Sequence, residues 1–167
     1  MRALVIGRFQ PFHNGHLAVV REIAAEADEV LIGVAAAADS RTAKNPFKAG
    51  ERNEMIRLAL EGTGMGPYRI IDLPDIHNPP VWAKYVANLV PEFDVVVAHS
   101  DDTLGLFEEA GYRVKKAEAY ERDTYSGTRI RHLMIEFQQW ETLVPPKVAE
   151  YLKGIDGPAR VRRLALG

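Results

Sequence analysis

Two short apolar runs bounded by polar residues open the chain, RALVIG over residues 2 to 7 and EVLIGVAA over 29 to 36. Unbroken runs of this length are the pattern of strands buried on both faces of a parallel sheet. Between them Leu17, Val20, Ile23, Ala24 and Ala27 recur at helical spacing, with Arg21, Glu22 and Glu26 on the opposite side. The alternation continues with a helix over about 50 to 61, a strand YRIIDLP at 68 to 74 and a helix near 80 to 90. A strand FDVVVAHS at 93 to 100, a helix near 102 to 110 and a short strand YRVKKA follow. Five strands alternating with helices predict an α/β fold, a Rossmann-like, doubly wound, parallel five-stranded sheet.

After residue 125 the pattern becomes helical only. In SGTRIRHLMIEF, Ile130, Leu133, Met134 and Phe137 form one apolar stripe, and PPKVAEYLKGI reads as a helix with Pro in its first turn. The chain shows no repeat, low-complexity stretch or linker. The expectation is therefore a single domain over 1–167, with a sheet core over 1–120 and C-terminal helices over 121–167 packed on it. Ligands of such sheets bind beyond the carboxyl ends of the strands, so the loops after residues 7, 36, 74 and 98 are expected to converge on one crevice.

Composition narrows the chemistry. The 167 residues suit one core, and 47% hydrophobic against 26% charged residues is ordinary for a soluble globular protein. A formal charge of −2 gives no general grip on a nucleic-acid backbone, so a phosphate site has to be built locally. The absence of cysteine excludes disulfides, thiolate metal sites and a cysteine nucleophile, and fits a reducing compartment. The opening apolar run is too short for a signal segment or a membrane span. A cytoplasmic protein with no nucleic-acid or membrane partner is expected.

Two stretches stand out. In GRFQPFHNGHL, residues 7 to 17, Pro11 fixes the backbone and Gly15 removes a Cβ where something must approach closely. His13 and His16 are three apart and share a face at the start of a helix, whose unsatisfied N–H groups form a natural anion site. Zinc ligation or simple packing are the other readings of this pair. His77, His99 and His132 offer no matching partner spacing, so no metal ligands are assigned. Neither G-x-x-x-x-G-K-[ST] nor G-x-G-x-x-G occurs, so a bound nucleotide would be held by another device. In YSGTRIR, residues 125 to 131, Ser126 is an N-cap, Gly127 allows close approach, and Thr128 and Arg131 share a face. Arginines near a helix start, with no acidic residue until Glu136, run against the helix dipole. An anionic ligand would resolve that mismatch; solvated arginines on a capped helix are the plainer reading.

Together the H-x-G-H loop and the S-G-T-R-x-R helix start resemble the nucleotidylyltransferase superfamily and, within it, the archaeal-type nicotinamide-nucleotide adenylyltransferases. The likeness runs through KNPFKAGER at 44 to 52, LPDIHNPPVW at 73 to 82, RDTYSGTRIR at 122 to 131 and a tail IDGPARVRRLA. It implies a reaction in which the phosphate of nicotinamide mononucleotide attacks the α-phosphorus of ATP, giving NAD and pyrophosphate, with Mg²⁺ on the triphosphate and a homo-oligomer, often a hexamer. Another phosphorylated acceptor such as phosphopantetheine, or nucleotide binding without turnover, are the rival readings.

The resemblance also implies site residues. ATP would be held by Gly7, Arg8, Phe9, His13, Gly15, His16, Tyr125, Ser126, Gly127, Thr128 and Arg131. Of these His13, His16, Arg8 and Arg131, with Lys44, would be catalytic through charge. Lys44, Asp75, Ile76, Asn78 and Trp82 would meet the mononucleotide, with Trp82 offering a flat face to the pyridinium ring; burial of that tryptophan in the core is the other reading. The chemistry agrees with so many cations, because two like unit charges 4 Å apart repel by about 4 kcal/mol at an effective dielectric near 20. The sequence departs from the family's usual pattern at AAAADSR, where Ala36 to Ala38 and Arg41 replace a polar run ending in His. It departs again at His99 and Ser100, followed by Asp101 and Asp102, where Gly-Asn is usual.

Overall fold

The structure, a computed structural model, describes residues 1–118 and 124–167. Arg122 and Asp123, which open the block RDTYSGTRIR, lie outside the described residues. The chain divides into two compact units, one of Met1–Gly7, Val19–Ala38 and Met65–Ala119, the other of Arg8–Ala18, Asp39–Gly64 and Tyr120–Gly167.

The first unit holds the sheet. Its strands are β1 (Arg2–Gly7), β2 (Glu29–Ala35), β3 (Tyr68–Leu73), β4 (Val95–Ala98) and β5 (Val114–Lys116). All pairings are parallel, in the order β3-β2-β1-β4-β5. The chain begins mid-sheet, winds outward through β2 and β3, then returns to the other side of β1 for β4 and β5, so the strand order reverses between β1 and β4. The innermost positions of β1 and β2 and all of β4 are buried, whereas β3 and β5, at the edges, are partly exposed. One face, with Leu4, Ile6, Leu31, Leu73, Val96 and Ala98, packs on Trp82, Ala83, Val86 and Val90 of α3 (Pro79–Leu89) and its end, and on Leu104 and Phe107 of α4 (Asp101–Glu109). Alternate residues Ala3, Val5, Ile32 and Val34 are equally buried and point to the other face. A Cβ at Gly33 would lie 2.5 Å from Leu73 Cδ1, so that buried leucine would have to shift to admit one.

The second unit gathers the start of α1 (Asn14–Glu26) with α2 (Ala49–Leu60), α5 (Gly127–Ile135), a 3-10 turn (Glu141–Leu143), α6 (Pro146–Gly154) and α7 (Gly157–Leu166). Helix α2 packs on α6, and α5 on α7. The backbone of α7 comes close: a Cβ on Gly157 would lie 3.0 Å from the Leu152 carbonyl and 3.4 Å from the Phe47 ring. Arg160 of α7 binds Glu51 of α2 with two bonds, 2.6 and 2.8 Å, donates to the Pro46 carbonyl and lies over the Phe47 ring.

The apolar stripe of α5 is buried at Ile130, Leu133 and Met134 but not at Phe137, which is 80% exposed. The helix ends at Ile135, and Phe137 takes a left-handed backbone (φ 55°) that turns it out to stack with the Arg162 guanidinium at 4.0 Å.

Burial raises the pKa of the Glu51 carboxyl, but hydrogen bonds from Arg160 and the Lys48 N–H outweigh it and hold the group below the ordinary carboxylate range. A depressed folded-state pKa stabilises the fold above the unfolded value, about 4.3, and that contribution is lost as pH falls through the folded value. Acid unfolding of Glu51→Gln is therefore expected to depend less steeply on pH below about 4.3 than that of the parent chain. Parallel denaturant titrations across pH 2 to 6 measure this.

Candidate active site

β1 runs into the first motif. Phe9 is buried with a left-handed backbone (φ 55°), Pro11 and Phe12 are buried, and the ring of Phe12 lies 5.4 Å from that of Phe9. His13 sits immediately before α1 and is 5% exposed. Its Nδ1 accepts the backbone N–H groups of Gly15 (3.1 Å) and His16 (3.3 Å), while His16 Nδ1 accepts the N–H of His13 (3.1 Å). This is the reciprocity of a capping box, performed by two imidazoles in place of a hydroxyl and a carboxylate. The rings stack 3.6 Å apart, tilted by 19°.

Open N–H groups at this helix start, expected from the sequence as part of the anion site, are therefore not what the structure offers at Gly15 and His16. Those two are occupied by His13. With each Nδ1 accepting, each neutral ring carries its proton on Nε2.

At the second helix start Ser126 caps α5, its Oγ accepting the Arg129 N–H at 3.0 Å. Arg131 donates to the Gln10 carbonyl at 2.7 Å and reaches Thr128 Oγ1 at 3.5 Å. Both glycines mark close approach: a Cβ on Gly127 would lie 3.0 Å from the Gln10 carbonyl oxygen, and one on Gly15 would lie 3.1 Å from Tyr125 Cβ. Two helix starts more than a hundred residues apart thus meet within one compact unit. Burial, and then the charge of Arg8, lower the Arg131 pKa from its ordinary value. Among the described residues no carboxylate is paired with it. A half-buried guanidinium in the first turns of α5, within reach of the charge of Arg8 just after β1, makes a positive corner.

The second block belongs to the same unit. Lys44 is exposed in a turn closed by Asn45 N–H to Thr42 Oγ1 and Thr42 N–H to the Asn45 carbonyl. Arg52, wholly buried, donates to the Arg8 carbonyl at 2.9 Å and to the Lys48 carbonyl. Sequence reasoning missed Arg52 and Gln10. The signal available was the polar identity of residues inside otherwise apolar or loop stretches, GRFQPF and KAGER.

Asp75, Ile76, Asn78 and Trp82 lie in the sheet unit after β3. Asp75 accepts the His77 N–H at 2.7 Å, Ile76 is half-buried, and Asn78 is exposed and precedes α3 with no side-chain cap bond. Trp82 is 9% exposed, meets Phe107 edge-on and donates its indole N–H to the Pro74 carbonyl at 3.2 Å. Its ring is a core side chain of this unit rather than an open platform. Of the divergent segments, Ala36 and Arg41 have left-handed backbones (φ 49° and 60°), Ser100 caps α4, and Asp101 pairs with Lys116 at 2.6 Å.

Residues 4–133 match the Cytidylyltransferase-like family. Nicotinamide-nucleotide adenylyltransferase of Methanococcus aeolicus is 46% identical over 164 residues, covering 98% of this chain and 95% of that protein. The enzyme of the same name from Thermococcus sibiricus is 46% identical over 167 residues, covering 99% and 90%. The chain belongs to the nicotinamide-nucleotide adenylyltransferase family. Among solved structures, a bifunctional NMN adenylyltransferase/ADP ribose pyrophosphatase from Francisella tularensis shares the fold at a TM-score of 0.81 and 21% identity. The match covers 98% of this chain and 52% of that one, so the chain spans about half the length of the bifunctional protein. A second structure of that protein, complexed with AMP and an Mn ion, aligns at a TM-score of 0.78.

Proposed function

We propose that this chain joins ATP and nicotinamide mononucleotide to give NAD and pyrophosphate, and that the stacked histidines and the α5 start hold the triphosphate. A phosphate oxygen of the mononucleotide attacks the α-phosphorus in line; that P–O bond forms as the bond from the α-phosphorus to the pyrophosphate oxygen breaks. The nucleophile is already ionised, so no general base is needed, and no side chain bonds covalently to substrate. The task is to offset charge and align two anions, which accounts for a site of donors and cations.

The carrying observation is the meeting of the Gly15 and Gly127 turns, with the stacked imidazoles and Arg131 around it. His13 and His16 donate from Nε2, Arg131 and Arg8 supply charge, and Thr128 and Ser126 line the helix start with Gly7, Phe9 and Tyr125. Lys44 reaches phosphates from the second block, and Asp75, Ile76 and Asn78 serve the mononucleotide, with Trp82 buried beneath them as a core side chain. Among the described residues no group of three or more His, Asp or Glu is placed to hold a metal ion. Mg²⁺ would come with ATP and would supply neutralisation of phosphate charge. The reading is of a single nucleotidylyltransferase domain, the matched region 4–133 drawing on both units, in a cytoplasmic homo-oligomer. Among the described residues no helix is long and apolar enough to cross a membrane.

Incubation of the purified chain with ATP, Mg²⁺ and nicotinamide mononucleotide is expected to release pyrophosphate and NAD in equal amounts. Absence of product with both the amide and the acid mononucleotide contradicts the proposal.

A further inference from the structure

Gln10 lies in the middle of the first motif yet is 3% exposed, which rules out direct display to a substrate through an open side chain. A buried amide is tolerated only where its hydrogen bonds are made, and here they go to one place. Gln10 Oε1 accepts the Phe47 N–H at 3.0 Å and Nε2 donates to the Phe47 carbonyl at 3.0 Å, so the side chain reads one residue's backbone in both directions, as a neighbouring strand would. Phe47 is itself held: its ring is wholly buried, under the Arg160 guanidinium and against Gly157. On its other side the Gln10 backbone carbonyl receives Arg131 at 2.7 Å. Phe9, just before it, keeps a backbone (φ 55°) that a bulky residue adopts only when its surroundings impose it.

We propose that Gln10 is a positioning residue for phosphate transfer: its side chain fixes the first loop to the Phe47 segment so that its carbonyl sets where the Arg131 guanidinium stands, and with it the spacing of Arg131, Lys44 and the histidine pair. This rests on the triphosphate reading above. The physical ground is that alignment of two anionic reactants is steep in distance, and a misplacement of about 1 Å costs about 10²-fold in rate. Arg52 holds the same loop through the Arg8 carbonyl, two residues away, whereas the two Gln10 bonds fix the very residue whose carbonyl Arg131 meets.

The test is a double-mutant cycle on kcat/KM for ATP, run well below the melting temperature of every variant, with Gln10→Met, Arg131→Ala and the double variant. Gln10→Met preserves volume and removes both bonds to Phe47. The expected result is a loss of about 10²-fold in the parent background and of less than about threefold when Arg131 is already alanine, because the effect passes through that side chain. Gln10→Glu, which keeps the acceptor for the Phe47 N–H and loses the donor, is expected to show the same dependence on Arg131 with a smaller loss. It carries the cycle if Gln10→Met does not fold. Equal losses in both backgrounds, or full activity of the Gln10 variants while Arg131→Ala is crippled, overturn the proposal alone. Full activity of Arg131→Ala overturns the triphosphate reading together with it.

Discussion

Arg131→Ala is expected to lower kcat/KM for ATP by about 10³-fold, in the range seen when one preorganised donor to a developing negative charge is removed. Arg131 is pushed into a half-buried position next to the charge of Arg8, and both burial and that charge disfavour its protonated form. On the proposed function, the triphosphate would offset both costs. The stability change is expected to be small, because the lost hydrogen bond to the Gln10 carbonyl, about 1 kcal/mol, is offset by relief of burial and repulsion. Arg131→Lys recovers only part of the rate, since an ammonium is a point charge without the fork that reaches a carbonyl and a phosphate together. Steady-state kinetics alongside thermal melts separate these effects.

His13→Asn is expected to fold like the parent chain and turn over about 10²-fold more slowly. His13 Nδ1 caps α1 through the N–H groups of Gly15 and His16, and on the proposed function Nε2 would donate toward phosphate, two jobs for two nitrogens. Asparagine is among the best N-cap residues, so it restores the first job and removes the second. His13→Ala loses both, and its melting temperature is expected to fall as well, by the amount that a lost cap of about 1 kcal/mol implies. If His13→Asn keeps the full rate, the imidazole is a capping group and nothing more. kcat and melting temperature measured on the two variants decide it.

The sheet was legible because its strands announce themselves: RALVIG, EVLIGVA and VVVA are apolar runs with a helical period between them. Helix α7 was not, because only Gly157 and Val161 of its ten residues are buried, too sparse a stripe to show a period. Phe137 misled for a local reason, as the helix stops two residues before it. In the site, residue types at fixed spacing gave the two helix starts, and the Ser126 cap follows directly from its hydroxyl. What spacing could not give is which ring nitrogen points where, so the mutual capping of His13 and His16 came only from geometry. Gln10 and Arg52 were hidden for a related cause: both act on backbone carbonyls and amides far away in sequence, which no side-chain pattern encodes. Trp82 was ambiguous between stacking and core, and its burial against Phe107 depends on α4, a separate element.

The most direct measurement is a crystal structure of the chain with Mg²⁺ and a non-hydrolysable ATP analogue. The account predicts triphosphate oxygens within about 3.2 Å of Nε2 of His13 or His16 and of the Arg131 guanidinium at once. A triphosphate bound elsewhere, touching neither the histidine pair nor the start of α5, contradicts it.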